Sequence, residues 1–125
     1  MSALRSSPRS AVLTLYGIPN CDTVKKARAW LAARGIAYRF HDFKRDGLPE
    51  PLLRAWVAEL GWEALVNRQG TTWRKLPPAQ REGLDEEGAI RLMLAAPALI
   101  RRPVLDTGAA RHLGFSEARY QEILG

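Results

Sequence analysis

Apolar positions follow two different periods along this chain, and the switches between them mark its elements. Residues 11–16 (Ala-Val-Leu-Thr-Leu-Tyr) form a short, mostly apolar run containing β-formers, which predicts a strand buried on both faces. Gly17 and Pro19 stop it. Over 22–34, Val24, Ala27, Trp30 and Leu31 recur at helical spacing, with Asn20 or Asp22 as the expected N-cap and Gly35 as the C-terminal stop. Residues 36–43 then alternate: Ile36, Tyr38, Phe40 and Asp42 take one side, and Ala37, Arg39, His41 and Phe43 the other. That period predicts a second strand, and a strand, helix and strand joined by short links predict parallel pairing through a right-handed crossover.

From 44 to 100 the pattern becomes helical, in pieces broken by Gly and Pro at 49–60, 62–66, 77–82 and 86–95. Each piece is too short to close a core of its own. The stretch therefore reads as a helical insertion whose Leu52, Leu53, Trp56, Leu60, Leu65, Leu76, Ile90, Leu92 and Leu94 pack partly on the sheet. Asp85, Glu86 and Glu87 suit a helix start, where carboxylates oppose the positive dipole end. Residues 103–105 and 111–113 flank turn chemistry at 106–110 and predict a hairpin. Ser116 caps a last helix reaching Leu124. The order β-α-β, helical insertion, β-β-α describes an α/β, thioredoxin-like fold with a small mixed four-stranded sheet. In this reading residues 1–10 are a flexible N-terminal tail, and 11–125 are one domain with its insertion at about 44–100.

Composition narrows the class. With 125 residues, 46% hydrophobic and 26% charged, the chain suits one soluble globular domain. No apolar run is long enough for a membrane span, and the start lacks a signal-peptide core. The net charge of +6 is spread along the chain, with pairs at Lys25-Lys26, Arg74-Lys75 and Arg101-Arg102. Without a long basic arm or an aromatic-interleaved stripe, this describes a solvated basic face rather than a nucleic-acid site. A single cysteine excludes an internal disulfide framework and, with no export signal, points to a reducing cytoplasm. His41 and His112 show no metal-ligand spacing and receive no role; no metal is expected. Trp30, Trp56, Trp62 and Trp73 read as packing residues, with Trp73 close in sequence to Arg74 and Lys75.

The lone cysteine, Cys21, stands where strand pattern gives way to helix pattern. Free N–H groups and the dipole at a helix start favour a sulfur anion there. Lone cysteines are commonly small buried hydrophobes without chemistry, yet polar Asn20, Asp22 and Thr23 surround this one and Lys25 lies a helical turn on. Asp22 opposes the thiolate unless its side chain turns to cap the helix.

The segment Tyr16-Gly17-Ile18-Pro19-Asn20-Cys21-Asp22-Thr23-Val24-Lys25-Lys26-Ala27 resembles the start of the arsenate reductase-like (ArsC) family, in its YffB branch. Leu65-Val66-Asn67-Arg68 with Gly70-Thr71-Thr72-Trp73-Arg74-Lys75-Leu76, Ile100-Arg101-Arg102-Pro103-Val104 and Leu113-Gly114-Phe115 agree with it, so the resemblance covers nearly all of 12–124. It implies a nucleophile at Cys21, anion-binding arginines at Arg68 and Arg102, and a cis peptide at Arg102-Pro103 beside the sulfur. Cis bonds are essentially confined to proline, so the residue types agree. Two departures matter. Gly114 stands where arsenate reductases of this type carry a third arginine, which weakens arsenate as substrate. Val24 stands where the related Spx regulators carry the second cysteine of a Cys-x-x-Cys switch.

The function expected from these residues is a glutathione-dependent thiol/disulfide oxidoreductase with one nucleophilic cysteine. Cys21 attacks a disulfide or a small oxidised substrate, and an external thiol, glutathione by expectation, resolves the mixed disulfide. Arg68 and Arg102 would clamp the glutathione carboxylates, with Asn20, Thr23, Lys25 and Pro103 completing the site. No bound cofactor is expected, and a monomer without membrane or direct nucleic-acid partners is. The alternatives are a non-enzymatic Spx-like regulator docking a transcription complex, and a genuine arsenate reductase.

Overall fold

A computed structural model of the chain describes residues 13–125. The expected tail at 1–10, and Ala11 and Val12 of the expected first strand, lie outside the described residues. The chain divides into two compact units: one is formed by residues up to Gly47 together with Arg102–Gly125, the other by Leu48–Arg101.

The first unit is built on a four-stranded mixed sheet. Its strands are β1 (Thr14–Gly17), β2 (Arg39–Asp42), β3 (Val104–Asp106) and β4 (Arg111–Leu113), in the order β2-β1-β3-β4. β1 runs parallel to β2, with Leu15 opposite Phe40, and antiparallel to β3, with Leu15 opposite Leu105. β3 and β4 form the expected hairpin. Its turn is closed by side chains, with Asp106 Oδ1 accepting from Gly108 N–H at 2.8 Å and Thr107 Oγ1 from Ala110 N–H at 3.2 Å. Helices α1 (Asp22–Ala33) and α8 (Glu117–Leu124) supply the rest of this unit's core. Leu13, Leu15, Ala27, Trp30, Leu31, Leu105 and Tyr120 are all buried together, with Ile36, Tyr38 and Phe40 packed against them. The alternating side of 36–43 that begins with Ile36 is thus the core side, apart from Asp42. Tyr120 meets Trp30 and Phe115 edge to face at 5.7 and 4.7 Å, tying α8 to α1.

Several boundaries differ from the sequence expectation for local reasons. Gly17 does not end β1 but belongs to it. A Cβ there would stand 2.8 Å from Val24 Cγ2, so the glycine lets α1 approach the strand closely. β2 ends at Asp42 because that side chain accepts from Lys44 N–H at 2.9 Å and caps a single helical turn, α2 (Phe43–Asp46). Phe43 is therefore a helix residue, not a strand residue. The N-cap of α1 is Cys21 itself, rather than Asn20 or Asp22. The C-terminus of α1 is as expected: Gly35 has φ +66°, and Ile36 N–H reaches back to the Leu31 carbonyl at 3.0 Å. Ser116 caps α8 through Arg119 N–H at 3.1 Å.

The second unit is helical: α3 (Glu50–Leu60), α4 (Trp62–Leu65), α5 (Thr71–Arg74), α6 (Pro78–Arg81), α7 (Glu86–Ala95) and a 3-10 turn (Pro97–Leu99). The one-turn α5 and the 3-10 turn are additions to the sequence expectation. Leu53, Trp56, Val57, Leu65, Val66, Ala89, Ile90, Met93, Leu99 and Ile100 are buried. Asp85 caps α7 through Gly88 N–H at 2.9 Å, as its position before Glu86 suggested. Arg54 donates to Glu50 at 2.8 Å and to Glu87 at 2.9 Å, linking α3 to α7 by an exposed network of small energetic weight. Val66 bridges to Ile100, and Arg101 N–H donates to the Leu65 carbonyl at 2.7 Å.

Candidate active site

Cys21 reaches its position through a turn. Its N–H donates to the Ile18 carbonyl at 3.1 Å, and its own carbonyl accepts from Lys25 N–H at 2.9 Å, opening α1. The sulfur belongs to a half-buried residue. No side chain closes the cap of α1 with a full hydrogen bond. Instead the N–H groups of Thr23 and Val24 and the guanidinium of Arg102 approach the sulfur closely enough to favour its anion. Partial burial is the largest single influence and pushes the thiol up; Val24 N–H, Arg102 and Thr23 N–H together outweigh it, and the net shift is downward. Two amides of the helix start and a cation from the segment before β3 thus act on the same sulfur.

Arg102 is placed by chain geometry. The Arg102-Pro103 peptide is cis, as the sequence resemblance implied, and Pro103 is buried immediately before β3. The neighbouring Arg101 does something else. Its Nε donates to the Ala64 carbonyl at 3.2 Å at the end of α4, so its fork serves the second unit's structure. Adjacent arginines with one composition therefore have different tasks. Asn20 and Lys25 are exposed, and neither is among the groups that lower the Cys21 thiol.

Gly114 also acquires a physical reason. It has φ +78°, a left-handed conformation that an arginine adopts only with strain, and its N–H donates to the Pro103 carbonyl at 2.9 Å. The missing third arginine coincides with a backbone that favours glycine. Val24 is fully buried against Gly17, which fixes the start of α1.

Arg68 belongs to the second unit and is exposed on the loop after α4. Its Cζ lies 5.6 Å from the Trp62 ring centroid and 5.7 Å from that of Trp73. The loop is held by Asn67 N–H on the Leu99 carbonyl (2.8 Å), Gln69 N–H on Asn67 Oδ1 (3.1 Å) and Arg74 Nη1 on the Gln69 carbonyl (2.8 Å). By sequence Trp62 and Trp73 read as packing residues. Their pairing with Arg68 spans six residues one way and five the other, a relation that no helix or strand period reveals.

Among the described residues no cluster of three His, Cys, Asp or Glu side chains comes together as a metal site. His41 Nε2–H donates to the Gly47 carbonyl (2.7 Å) and the ring packs on Tyr16, a structural placement. No helix among the described residues is long and apolar enough to cross a membrane.

The ArsC family model matches residues 16–123, a span holding Cys21, Arg68, Arg102 and Gly114. The chain belongs to the ArsC family. Its thioredoxin-like fold is that of the solved relatives. The structure described as YFFB (PA3664) protein is 50% identical, with a TM-score of 0.87, covering 91% of this chain and all of that one. An arsenate reductase (ArsC) related protein from Brucella melitensis is 47% identical, with a TM-score of 0.75 and coverage of 88% and 92%. Among curated proteins, an uncharacterised Haemophilus influenzae protein is 41% identical over 88% of this chain and 96% of its own length. The global transcriptional regulator Spx of Streptococcus pyogenes is 28% identical over 90% and 85%. The chain is thus similar both to a protein described as arsenate reductase-related and to one described as a regulator.

Proposed function

We propose that this protein is a single-cysteine thiol/disulfide oxidoreductase that uses glutathione as its external thiol. The observation that carries the reading is the convergence on one sulfur of the Thr23 and Val24 amides and the Arg102 guanidinium, which together lower the Cys21 thiol. In the first step the Cys21 thiolate attacks a sulfur of a glutathione mixed disulfide. The S–S bond breaks, a Cys21–glutathione disulfide forms, and the departing thiolate takes a proton from solvent. In the second step the thiolate of reduced glutathione attacks the glutathione sulfur held on Cys21. Oxidised glutathione leaves and the Cys21 thiolate is restored. One substrate disulfide is reduced and two glutathione moieties end as a disulfide, so electrons balance without a second protein cysteine.

Arg102 acts first on the sulfur anion. Arg68 and Arg102 are proposed to attract the two glutathione carboxylates, with Asn20, Thr23, Lys25 and Pro103 as further contacts, and the protein is proposed to work as a cytoplasmic monomer. Arsenate reduction is the weaker proposal, because Gly114 supplies no third guanidinium. The Spx relatives favour a second reading, a regulator docking on a transcription complex.

Intact mass measurement separates the readings. Incubation with oxidised glutathione is expected to add one glutathione at Cys21, reduced glutathione to remove it, and Cys21→Ser to abolish it. A protein that stays unmodified under these conditions, yet is retained by RNA polymerase, overturns the enzyme reading.

A further inference from the structure

We infer that Trp62 and Trp73 are positioning residues for Arg68, holding its guanidinium ready for a ligand carboxylate. This rests on the proposed anion-binding role of Arg68. Arg28 and Arg34 also lie over single rings, Phe40 and Trp30, whereas three further arginines show the alternative. Arg45 is paired with Asp46, Arg54 with Glu50 and Glu87, and Arg111 with Asp106. Each is ion-paired with at least one carboxylate. Arg68 has none among the described residues; its contacts are two indole rings within about 6 Å, the range of cation–π attraction. A ring attracts the cation without accepting its N–H donors in the way a carboxylate does, so charge is held while donors are left for an incoming anion.

The rest of the loop is built to the same end. Trp62 opens α4 and Trp73 lies in α5, so the rings come from elements on the two sides of Arg68 in the chain. Asn67 fixes the loop to the Leu99 carbonyl and turns it through Gln69 N–H, while Arg74 holds the Gln69 carbonyl. Gly70 keeps the turn tight, since a Cβ there would lie 3.0 Å from Asn67 Nδ2. An exposed arginine on a loose loop loses much rotamer freedom when it binds an anion. One already restrained by backbone and rings loses less, which strengthens binding without a new ligand contact.

Titration with reduced glutathione, followed by indole fluorescence in the Cys21→Ser protein, tests this without requiring any reaction. The expected result is a saturable change that Arg68→Ala removes. Trp62→Ala and Trp73→Ala are each expected to weaken the apparent affinity by about 2- to 5-fold, from the usual strength of an exposed cation–π contact. Trp62→Phe and Trp73→Phe, which keep a ring and protect against misfolding, should restore most of it. Full affinity in both alanine variants, or no fluorescence change in the unmodified indole background, overturns the inference. Adduct formation at Cys21 in the Trp62→Ala and Trp73→Ala variants made with the cysteine retained reports separately on the oxidoreductase reading: a normal adduct there, with glutathione affinity unchanged in the alanine variants of the Cys21→Ser protein, sinks the positioning role alone.

Discussion

Arg102 and Arg68 come from the same family motifs, yet they are held in different ways. Arg102 is half-buried, follows directly into a cis proline and β3, and acts on the Cys21 sulfur. Arg68 is exposed, sits on a loop pinned at three points, and is held by indole rings. A guanidinium beside a thiol changes what the thiol is; a guanidinium over aromatic rings changes what can be held. The difference teaches that two arginines named by the same resemblance have different surroundings, one beside the Cys21 sulfur and one beside two indole rings, and the roles proposed for them differ accordingly.

That division can be broken experimentally. Cys21→Ser has the largest expected effect, complete loss of the glutathione adduct, because no other sulfur nucleophile of this kind exists in the chain. Arg102→Ala removes a charge-assisted hydrogen bond to the sulfur, so alkylation of Cys21 near neutral pH should slow roughly tenfold. Its pH profile should move to higher pH. The sign follows from the lowered thiol: the anion is favoured above the folded-state value, and the stability it lends the fold is lost as pH falls through that value. Arg68→Ala should leave that profile unchanged while raising the half-saturating concentration of oxidised glutathione by roughly tenfold. Equal displacement of both quantities by both variants would erase the distinction between the two arginines.

Two stability changes sharpen the structural side. Gly17→Ala places a methyl 2.8 Å from Val24 Cγ2, and thermal unfolding should show a loss of about 1–3 kcal/mol, with the start of α1 and its sulfur displaced. Tyr120→Phe should change stability by less than about 1 kcal/mol, because the buried hydroxyl has no hydrogen-bond partner among the described residues while its ring packing is retained.

Much of the sheet unit was legible because its residues obey their periods. Val24, Ala27, Trp30 and Leu31 mark the buried stripe of α1, and the turn residues 106–110 announced the hairpin. The errors arise where side chains redirect the backbone over one or two residues. Asp42 caps a new turn and cuts β2 short; the turn closed by Cys21 N–H makes the cysteine the N-cap although two better capping residues flank it. The one-turn α5 and the 3-10 turn are too short to display a period. At the candidate site, Cys21 was legible from its junction, whereas Arg102 was selected over Arg101 only by resemblance. Their separation is three-dimensional, since Arg101 turns to the Ala64 carbonyl. The indoles around Arg68 were invisible for the same reason, being joined across a loop rather than along an element.

The fold shifts its lone cysteine toward the anion, with the Val24 and Thr23 amides and Arg102 outweighing burial. Titration of the Cys21 thiolate absorbance in the intact protein tests it most directly. The midpoint is expected below the ordinary thiol value and should rise on Arg102→Ala; an unshifted midpoint, insensitive to that substitution, would contradict the account.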